Sequence, residues 1–192
     1  MSSDIISLGK KLTIVEEPDP RLHKKSTAIS EVDDSTRQLM ADMVITMIEE
    51  DGIGLAAVQV GVMKNIIVVD AESCCRRDDA KEFIPKDKYL VMANPEVVEL
   101  APELCPYEEY CLSYPGLGVT IDRARWARIR YLDYYGQLQE IQAYGLLARC
   151  ILHEIDHTQG KVIADYLSPL KKKMALKRFV KRSKLANTQN VR

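Results

Sequence analysis

The stretch Gly145-Leu146-Leu147-Ala148-Arg149-Cys150-Ile151-Leu152-His153-Glu154-Ile155-Asp156-His157 decides the architecture of this chain. Its apolar residues recur at helical spacing, which predicts a helix that continues to about Gly160. The helix contains the motif HExxH, and four residues make little more than one turn, so both imidazoles project from one face and can bind one metal ion. Burying two His, a Glu and an Asp in an apolar helix without a function is costly. We therefore predict a metal site here, with Glu154 beside the first ligand.

The third metal ligand must come from another part of the chain. Ile163 stands where the metzincin pattern places its third His, and no Glu follows Glu154, although the gluzincin pattern requires one. Asp165 is the only acidic side chain after the HExxH motif. Upstream, Cys111 offers a thiolate, and Cys with two His forms a three-ligand set that leaves one position open for water. The residues alone leave Cys111 and Asp165 as candidates.

The rest of the chain predicts strands first and helices late. A 3–4 residue apolar spacing predicts a helix over 35–50, and residues 66–69 and 89–100 have strand character. Residues 126–133 and 138–144 predict a hairpin, and Ser168-Pro169 is typical of a helix start. Without βαβ alternation, the fold class is α+β, with antiparallel strands around a central HExxH helix and a C-terminal helix. We also expect a short strand at 12–15 and a charged loop at 71–88.

Length and charge restrict the class of protein further. A chain of 192 residues with 46% hydrophobic residues fits one globular domain, and no apolar run is long enough to cross a membrane. Residues 171–192 hold nine Lys or Arg and no acid, whereas residues 1–170 hold 18 basic and 28 acidic residues. We therefore divide the chain into a catalytic region, 1–170, and a basic C-terminal helix or tail of the same domain, 171–192. That tail is either a solvated surface or a contact for a polyanion such as RNA.

The cysteines and the N-terminal residues predict a reducing compartment. The five cysteines are an odd number, and the first residues lack a basic segment followed by an apolar one. An early acid, Asp4, also argues against a transit peptide. We expect a cytoplasmic protein in which a cysteine acts as a ligand or nucleophile rather than in a disulfide. The vicinal pair Cys74-Cys75 has no functional interpretation from the sequence.

Three segments together resemble the peptide deformylase family. They read GIGLAAVQ at 52–59, EYCLS at 109–113 and HEIDH at 153–157, in the order and spacing of that family, and the resemblance covers roughly residues 10–170. It implies a hydrolase that removes the formyl group from N-formylmethionyl peptides and releases formate. It also implies one divalent metal ion per chain, with Fe²⁺ favoured in the cell and Zn²⁺ or another divalent ion as the alternative in purified protein. Neither DNA nor a membrane is an expected partner.

The resemblance assigns roles to individual residues. Cys111, His153 and His157 are implied as metal ligands, and Glu154 as the base that takes a proton from the attacking water and passes it to the leaving amine. Gln59 and the backbone N–H of Leu112 are implied to stabilise the oxyanion. The Asp156–Arg123 pair is implied as support around the metal ligands. The residues implied to line or border the substrate cleft are Ile53, Gly54, Glu109, Leu146 and Cys150.

Two positions depart from the family pattern, and two other functions compete with deformylation. Tyr110 stands in place of the usual Gly before the Cys, where it is expected to narrow the cleft mouth, and Tyr114 replaces a small aliphatic residue. One competing function is a metalloprotease with Asp165 as third ligand. The other is a non-catalytic relative that binds the ribosome or another polyanion through the basic tail. Similarity to bacterial deformylases also implies ribosome binding by an active enzyme, with Leu170, Met174 and Phe179 facing the body and Lys171, Lys173, Lys177, Lys181 and Lys184 facing rRNA.

Overall fold

The computed structural model describes residues 7–77 and 85–189, with the side chains of 182–189 excepted. Four α-helices and seven strands are defined within these residues, together with short 3₁₀ turns at Pro20–His23, Ala57–Val60 and Ile163–Tyr166. The helices are α1 (Asp34–Glu49), α2 (Ala71–Arg77), α3 (Gly145–Thr158) and α4 (Pro169–Gln189). The strands are β1 (Gly54–Ala56), β2 (Ile66–Asp70), β3 (Tyr89–Leu100), β4 (Leu104–Glu109), β5 (Val119–Ala124), β6 (Trp126–Leu132) and β7 (Leu138–Tyr144).

The strands form two antiparallel sheets. Five strands follow the order β1-β2-β3-β6-β7, and β4 and β5 form a separate two-stranded sheet. Each neighbouring pair is antiparallel. The predicted hairpin is β6–β7, whose register runs from Trp126 opposite Tyr144 to Leu132 opposite Leu138. This arrangement confirms the α+β prediction.

The large sheet is covered by helices on both faces. Ile66 and Val68 of β2 pack with α1, while Ile67 and Val69 pack with α3. Because successive strand residues point to opposite faces, a strand buried on both sides needs apolar residues at every position. This explains the unbroken apolar run of β2, which is fully buried.

Helix α3, which carries HExxH, lies between the two sheets. It contacts β1, β2, β6 and β7 of the large sheet and β5 of the small one. Leu147, Ala148 and Ile151 pack into the core under the large sheet. Functional side chains on the remaining faces of α3 therefore point toward the junction of the sheets, where β4 ends.

Helix α1 begins and ends close to its predicted limits because its cap is encoded locally. Asp33 occupies the N-cap position, and its carboxylate accepts a hydrogen bond from the Thr36 N–H at 2.7 Å. This bond satisfies one of the backbone donors that the first helical turn leaves unpaired. Its buried Met40, Met43 and Met47 form part of the core against β2.

Two local predictions were wrong. Residues 12–15 are not in a strand; the Val15 N–H instead donates to the carbonyl of Gln59 at 2.7 Å. The segment 71–88 is not entirely a loop, because Ala71–Arg77 forms α2, with Asp70 accepting from the Ser73 N–H at 2.9 Å. Residues 78–84 of that predicted loop lie outside the described residues.

Helix α4 docks on a different face from the one predicted. Ala175 and Phe179 are buried, whereas Leu170 and Met174 are 69% and 61% exposed. The two pairs are offset by five residues, which turns them about 140° apart around the helix axis. The prediction that Leu170 and Met174 face the body was therefore wrong, and that for Phe179 was correct. The helix begins at Pro169, so the predicted boundary at 170/171 falls inside it.

None of the helices in the described part of the chain is both long enough and apolar enough to cross a bilayer.

Candidate metal centre and substrate cleft

Three side chains converge where α3 faces the end of β4. Donor atoms of Cys111, His153 and His157 all lie within 4.8 Å of one another, and all three residues are buried. The two imidazoles come from successive turns of α3, with ring centroids 5.1 Å apart. Cys111 follows β4 and sits in a turn in which its carbonyl accepts from the Tyr114 N–H at 2.9 Å. The predicted ligand set is therefore brought together.

The donor set fits a divalent transition metal ion. Cys111 Sγ lies 3.2 Å from Nε2 of His157. Nδ1 of His153 faces Oε2 of Glu109 at 2.9 Å, so its Nε2 is left to face the centre. One thiolate and two imidazoles match the ligand preference of zinc and of other borderline first-row metals.

Glu154 lies beside this centre without an ion-pair partner. It is 4% exposed, and its Oε2 has no hydrogen-bond partner among the described residues. Burial is the main reason that the pKa of its carboxyl rises to about 7. An uncommitted buried carboxyl next to a metal-ligand set is suited to proton transfer.

Glu109 is held by two arginines and orients the predicted metal ligand His153. Its carboxylate pairs with Arg123 at 2.7 Å and with Arg149 at 2.7 Å, and its other contact is His153. Burial alone would raise the pKa of Glu109, but the bonds to His153 and Arg123 outweigh it and lower the pKa to about 2. The resemblance implied only that Glu109 lines or borders the cleft, and no sequence pattern indicated its bond to His153 or the role of Arg149. The predicted pair is present as well, since Arg123 contacts Asp156 at 2.8 Å.

Gln59 is fixed with its amide nitrogen toward the centre. Its Oε1 accepts from the Ala56 N–H at 2.8 Å. Its Nε2 lies 3.2 Å from the Ser113 hydroxyl and 3.5 Å from Cys111 Sγ. Gln59 is only 1% exposed, so the surrounding residues determine this orientation. Leu112, whose N–H was the other predicted oxyanion donor, directly follows Cys111 and lines the adjoining cleft.

A cleft of about 340 Å³ opens onto these groups. Gly54 lies so close to α3 that a Cβ atom there would come 2.5 Å from Oε1 of Glu154 and 2.6 Å from Sγ of Cys150. A glycine is therefore required at this position, because any side chain would displace the carboxylate. The structure places every predicted cleft residue on the cleft wall: Ile53, Gly54, Glu109, Leu146 and Cys150.

Comparison with known proteins agrees with this geometry. The family model for polypeptide deformylase matches residues 11–173. This chain belongs to the polypeptide deformylase family. A peptide deformylase from Rickettsia akari is 46% identical over 170 residues, which cover 88% of this chain and 95% of that protein. One from Azotobacter vinelandii is likewise 46% identical over 170 residues, with the same coverage of both chains.

Solved deformylase structures share the fold. The crystal structure of peptide deformylase from Ehrlichia chaffeensis superposes with a TM-score of 0.84 at 38% identity, covering 92% of this chain and 99% of the other. A structure of deformylase from the same organism in complex with actinonin gives 0.82 at 39% identity, covering 90% and 98%. The chain is thus a deformylase-family hydrolase, and deformylation of nascent peptides is the function of that family.

The structure does not support the alternative of a metalloprotease with Asp165 as the third metal ligand. The Asp165 carboxylate accepts from the Val162 N–H at 2.9 Å and pairs with Lys172. It is thus committed to the start of the 3₁₀ turn and to α4. Among the described residues, only Cys111 completes a cluster with the two imidazoles of HExxH.

The two tyrosines that depart from the deformylase pattern have different environments. Tyr114 is fully buried; its hydroxyl donates to Glu17 at 2.8 Å, and its ring meets Phe179 of α4 edge-on at 5.3 Å. Tyr110 is 65% exposed and lines the cleft, as predicted for a residue at its mouth. Its hydroxyl donates to Glu108 at 2.9 Å.

Proposed function

We propose that this chain removes the N-formyl group from N-terminal formylmethionine and releases formate, using the residues of the metal centre and the cleft. The observation that carries the proposal is the buried, uncommitted Glu154 carboxylate beside Cys111, His153 and His157, at the inner end of a cleft. These are the parts that hydrolysis of an amide requires: a base, a Lewis-acid site and room for the acyl group.

Cys111, His153 and His157 would hold one divalent ion, and Glu109 would orient the His153 ring from the far side. When bound, such an ion acts as a Lewis acid and lowers the pKa of water toward neutrality. For the identity of the ion we propose Fe²⁺ in the cell, with Zn²⁺ or another divalent ion in purified protein; the donor types accept each of them.

Glu154 then performs the proton transfers. Its carboxylate takes a proton from the attacking water and later donates it to the amine that leaves with the peptide. The closeness of Gly54 supports this role, because the lack of a side chain there leaves room for Oε1 of Glu154 at the cleft wall. Displacing the carboxylate would separate it from both the water and the leaving amine.

Gln59 and Leu112 stabilise the charge that develops on the formyl oxygen. The Nε2 group of Gln59 and the backbone N–H of Leu112 are the two donors, and a fixed donor needs no reorganisation during the reaction. The bond from Ala56 to Oε1 of Gln59 supports this assignment, because it leaves Nε2 as the end that faces the centre.

The methionine side chain is proposed to enter the apolar part of the cleft along α3. Leu146 and Cys150 lie one turn apart on that helix, and Ile53 lines the same cleft. Gly54 allows the substrate backbone to approach closely, as in binding modes that add a peptide to a strand.

Formate release from two matched peptides tests this function. Formyl-Met-Ala-amide is compared with acetyl-Met-Ala-amide, using protein loaded anaerobically with Fe²⁺. We expect formate from the first peptide and no acetate from the second. Cleavage of the Met–Ala bond instead would support a protease, and no reaction from folded, metal-loaded protein would support the non-catalytic relative.

We further propose a cytoplasmic location and ribosome contact through the basic residues of α4. Lys171, Lys173 and Lys177 are exposed, and their density of positive charge suits RNA. Changing all three to Gln should weaken ribosome binding at low salt and reduce its salt dependence. Unchanged affinity would contradict the proposal. Lys184 and the residues after it belong to the part whose side chains are not described, so their role stays a prediction.

A further inference from the structure

The rim of the cleft carries an aromatic side chain, Tyr110, that is held by two contacts. Tyr110 lies where the β4–β5 ladder ends, and Gly118 precedes the Val119 that pairs with Glu109. A Cβ atom at Gly118 would come 3.0 Å from the Tyr110 ring and 2.8 Å from Oε1 of Glu108. The hydroxyl of Tyr110 also donates to Oε2 of Glu108 at 2.9 Å. The Cε1 and Cζ atoms of the ring thus lie next to Gly118, while the hydroxyl is tied to a carboxylate.

Much of the Tyr110 ring is still exposed to a ligand in the cleft. Tyr110 is 65% exposed and lines the same cleft as the metal centre, together with Glu108. A cation positioned over an aromatic face is attracted to it, and a neighbouring carboxylate adds to the attraction. The exposed ring and Glu108 can therefore both contact a Lys or Arg side chain. The ring would do so through a cation–π interaction and Glu108 through an ion pair.

The other charges on the described cleft wall agree with this preference. Glu109 and Arg149 are paired with each other inside the cleft. Apart from that pair and the metal centre with Glu154, the described lining residues carry two acids, Asp51 and Glu108, and one cation, Arg77. The rim is therefore net negative, which attracts cationic and repels anionic side chains.

Building on the proposed deformylase function, we propose that Tyr110 and Glu108 form a side-chain site at the cleft rim that selects Lys or Arg at the second or third position of the peptide, after the formylmethionine. The site lies outside the metal centre, so it acts on peptide binding rather than on the chemical step. Its expected signature is a change in KM with kcat preserved.

A purely structural role for Tyr110 makes a different prediction. An aromatic ring opposite a glycine in a β-ladder stabilises the ladder by covering the bare backbone. If that were its whole role, removing the ring would lower the melting temperature and leave substrate preference unchanged. Substrate preference is therefore the decisive measurement.

The test uses N-formyl tripeptide amides that differ in charge alone. Arginine is placed at the second or third position and compared with citrulline, which has the same shape without the charge. We expect kcat/KM to be about three- to tenfold higher for arginine at one of these positions, and the difference to shrink in high salt. All assays use the metal-loaded full chain, with metal content and melting temperature measured for each variant.

Three variants and one control connect the preference to the proposed residues. Glu108→Gln and Tyr110→Leu should each bring the arginine-to-citrulline ratio close to one. Glu103→Gln removes an exposed carboxylate of the same β-hairpin region and should keep the wild-type ratio. Gly118→Ala, which forces Glu108 or the ring to move, should lower the ratio without removing either group.

Two results would overturn the proposal. The first is a ratio near one at both positions in the wild-type protein while formate is released from every peptide, which separates this failure from a lack of deformylase activity. The second is a wild-type preference that persists in both Glu108→Gln and Tyr110→Leu.

Discussion

At the scale of single residues, Glu109 links the arginines around the site to the metal ligand His153. Replacing it by Gln keeps the shape but removes the charge that its three partners share. We expect Glu109→Gln to weaken metal affinity by about 10- to 100-fold, as is typical when the partner of a ligating His is lost. Competition with a chelator measures this affinity directly. Glu103→Gln is the matched control, and equal affinity in both variants would contradict the orienting role.

Gly54 is a second position where adding a single carbon atom is expected to change the activity. A methyl group in Gly54→Ala would overlap Oε1 of Glu154 and Sγ of Cys150. We expect formate release to fall by roughly 10²-fold because a displaced base is out of reach of its proton. Metal content should stay at the wild-type level, since the Cβ atom approaches no ligand. Full activity in this variant would show that Glu154 does not need its observed position.

The sequence could predict the ligands but not their supports. HExxH has a fixed spacing on a helix, so the convergence of His153 and His157 follows from helical geometry. Cys111 and Gln59 could be placed only through the family resemblance, because they reach the site from separate elements. Nothing in the sequence indicated that Glu109 binds His153 or that Arg149 binds Glu109, since such contacts depend on how α3 and the β4–β5 sheet pack together.

At the scale of elements, Ala175 and Phe179 are the buried residues among the described side chains of α4. Phe179 is 7% exposed and meets the ring of Tyr114, whereas Leu170 and Met174 project outward. We expect Phe179→Ala to lower the free energy of unfolding by about 3 kcal/mol, as for other buried aromatic residues. Leu170→Ala and Met174→Ala should change it little. Chemical denaturation of the three variants compares these effects, and equal losses would contradict the observed docking face.

A pH-dependent contact also connects α4 to the preceding turn. Burial raises the pKa of Asp165, but its bonds to Lys172 and the Val162 N–H outweigh that effect, so the pKa lies below its ordinary value. A carboxyl with a lowered pKa stabilises the fold above its unfolded-state pKa and loses this contribution as the pH falls through the folded-state value. Asp165→Asn should therefore be less stable than wild type at neutral pH, with the difference vanishing under strongly acidic conditions. A difference that persists there would contradict an ionic origin.

At the scale of the whole molecule, patterning predicted the class of the fold but missed one sheet. The apolar patterns of α1, β2, β6, β7 and α3 could be recognised because each of these elements packs apolar residues into the core. Strand β4 is exposed at nearly every position, so its side chains show no apolar alternation that could have identified it. That strand nevertheless carries Glu108 and Glu109 and leads into Cys111. The exposed strand β4, whose residues line the cleft, was thus the element that the sequence pattern could not predict.

The central claim is that the three ligands and Glu154 act together as a hydrolytic centre. Formate release from an N-formylmethionyl peptide, measured for wild-type protein and Glu154→Ala at equal Fe²⁺ content, tests it most directly. We expect the wild-type protein to release formate and the variant to lose at least about 10²-fold in rate with its metal retained. Equal rates in the two proteins, or no formate from the folded and metal-loaded wild type, would contradict the account.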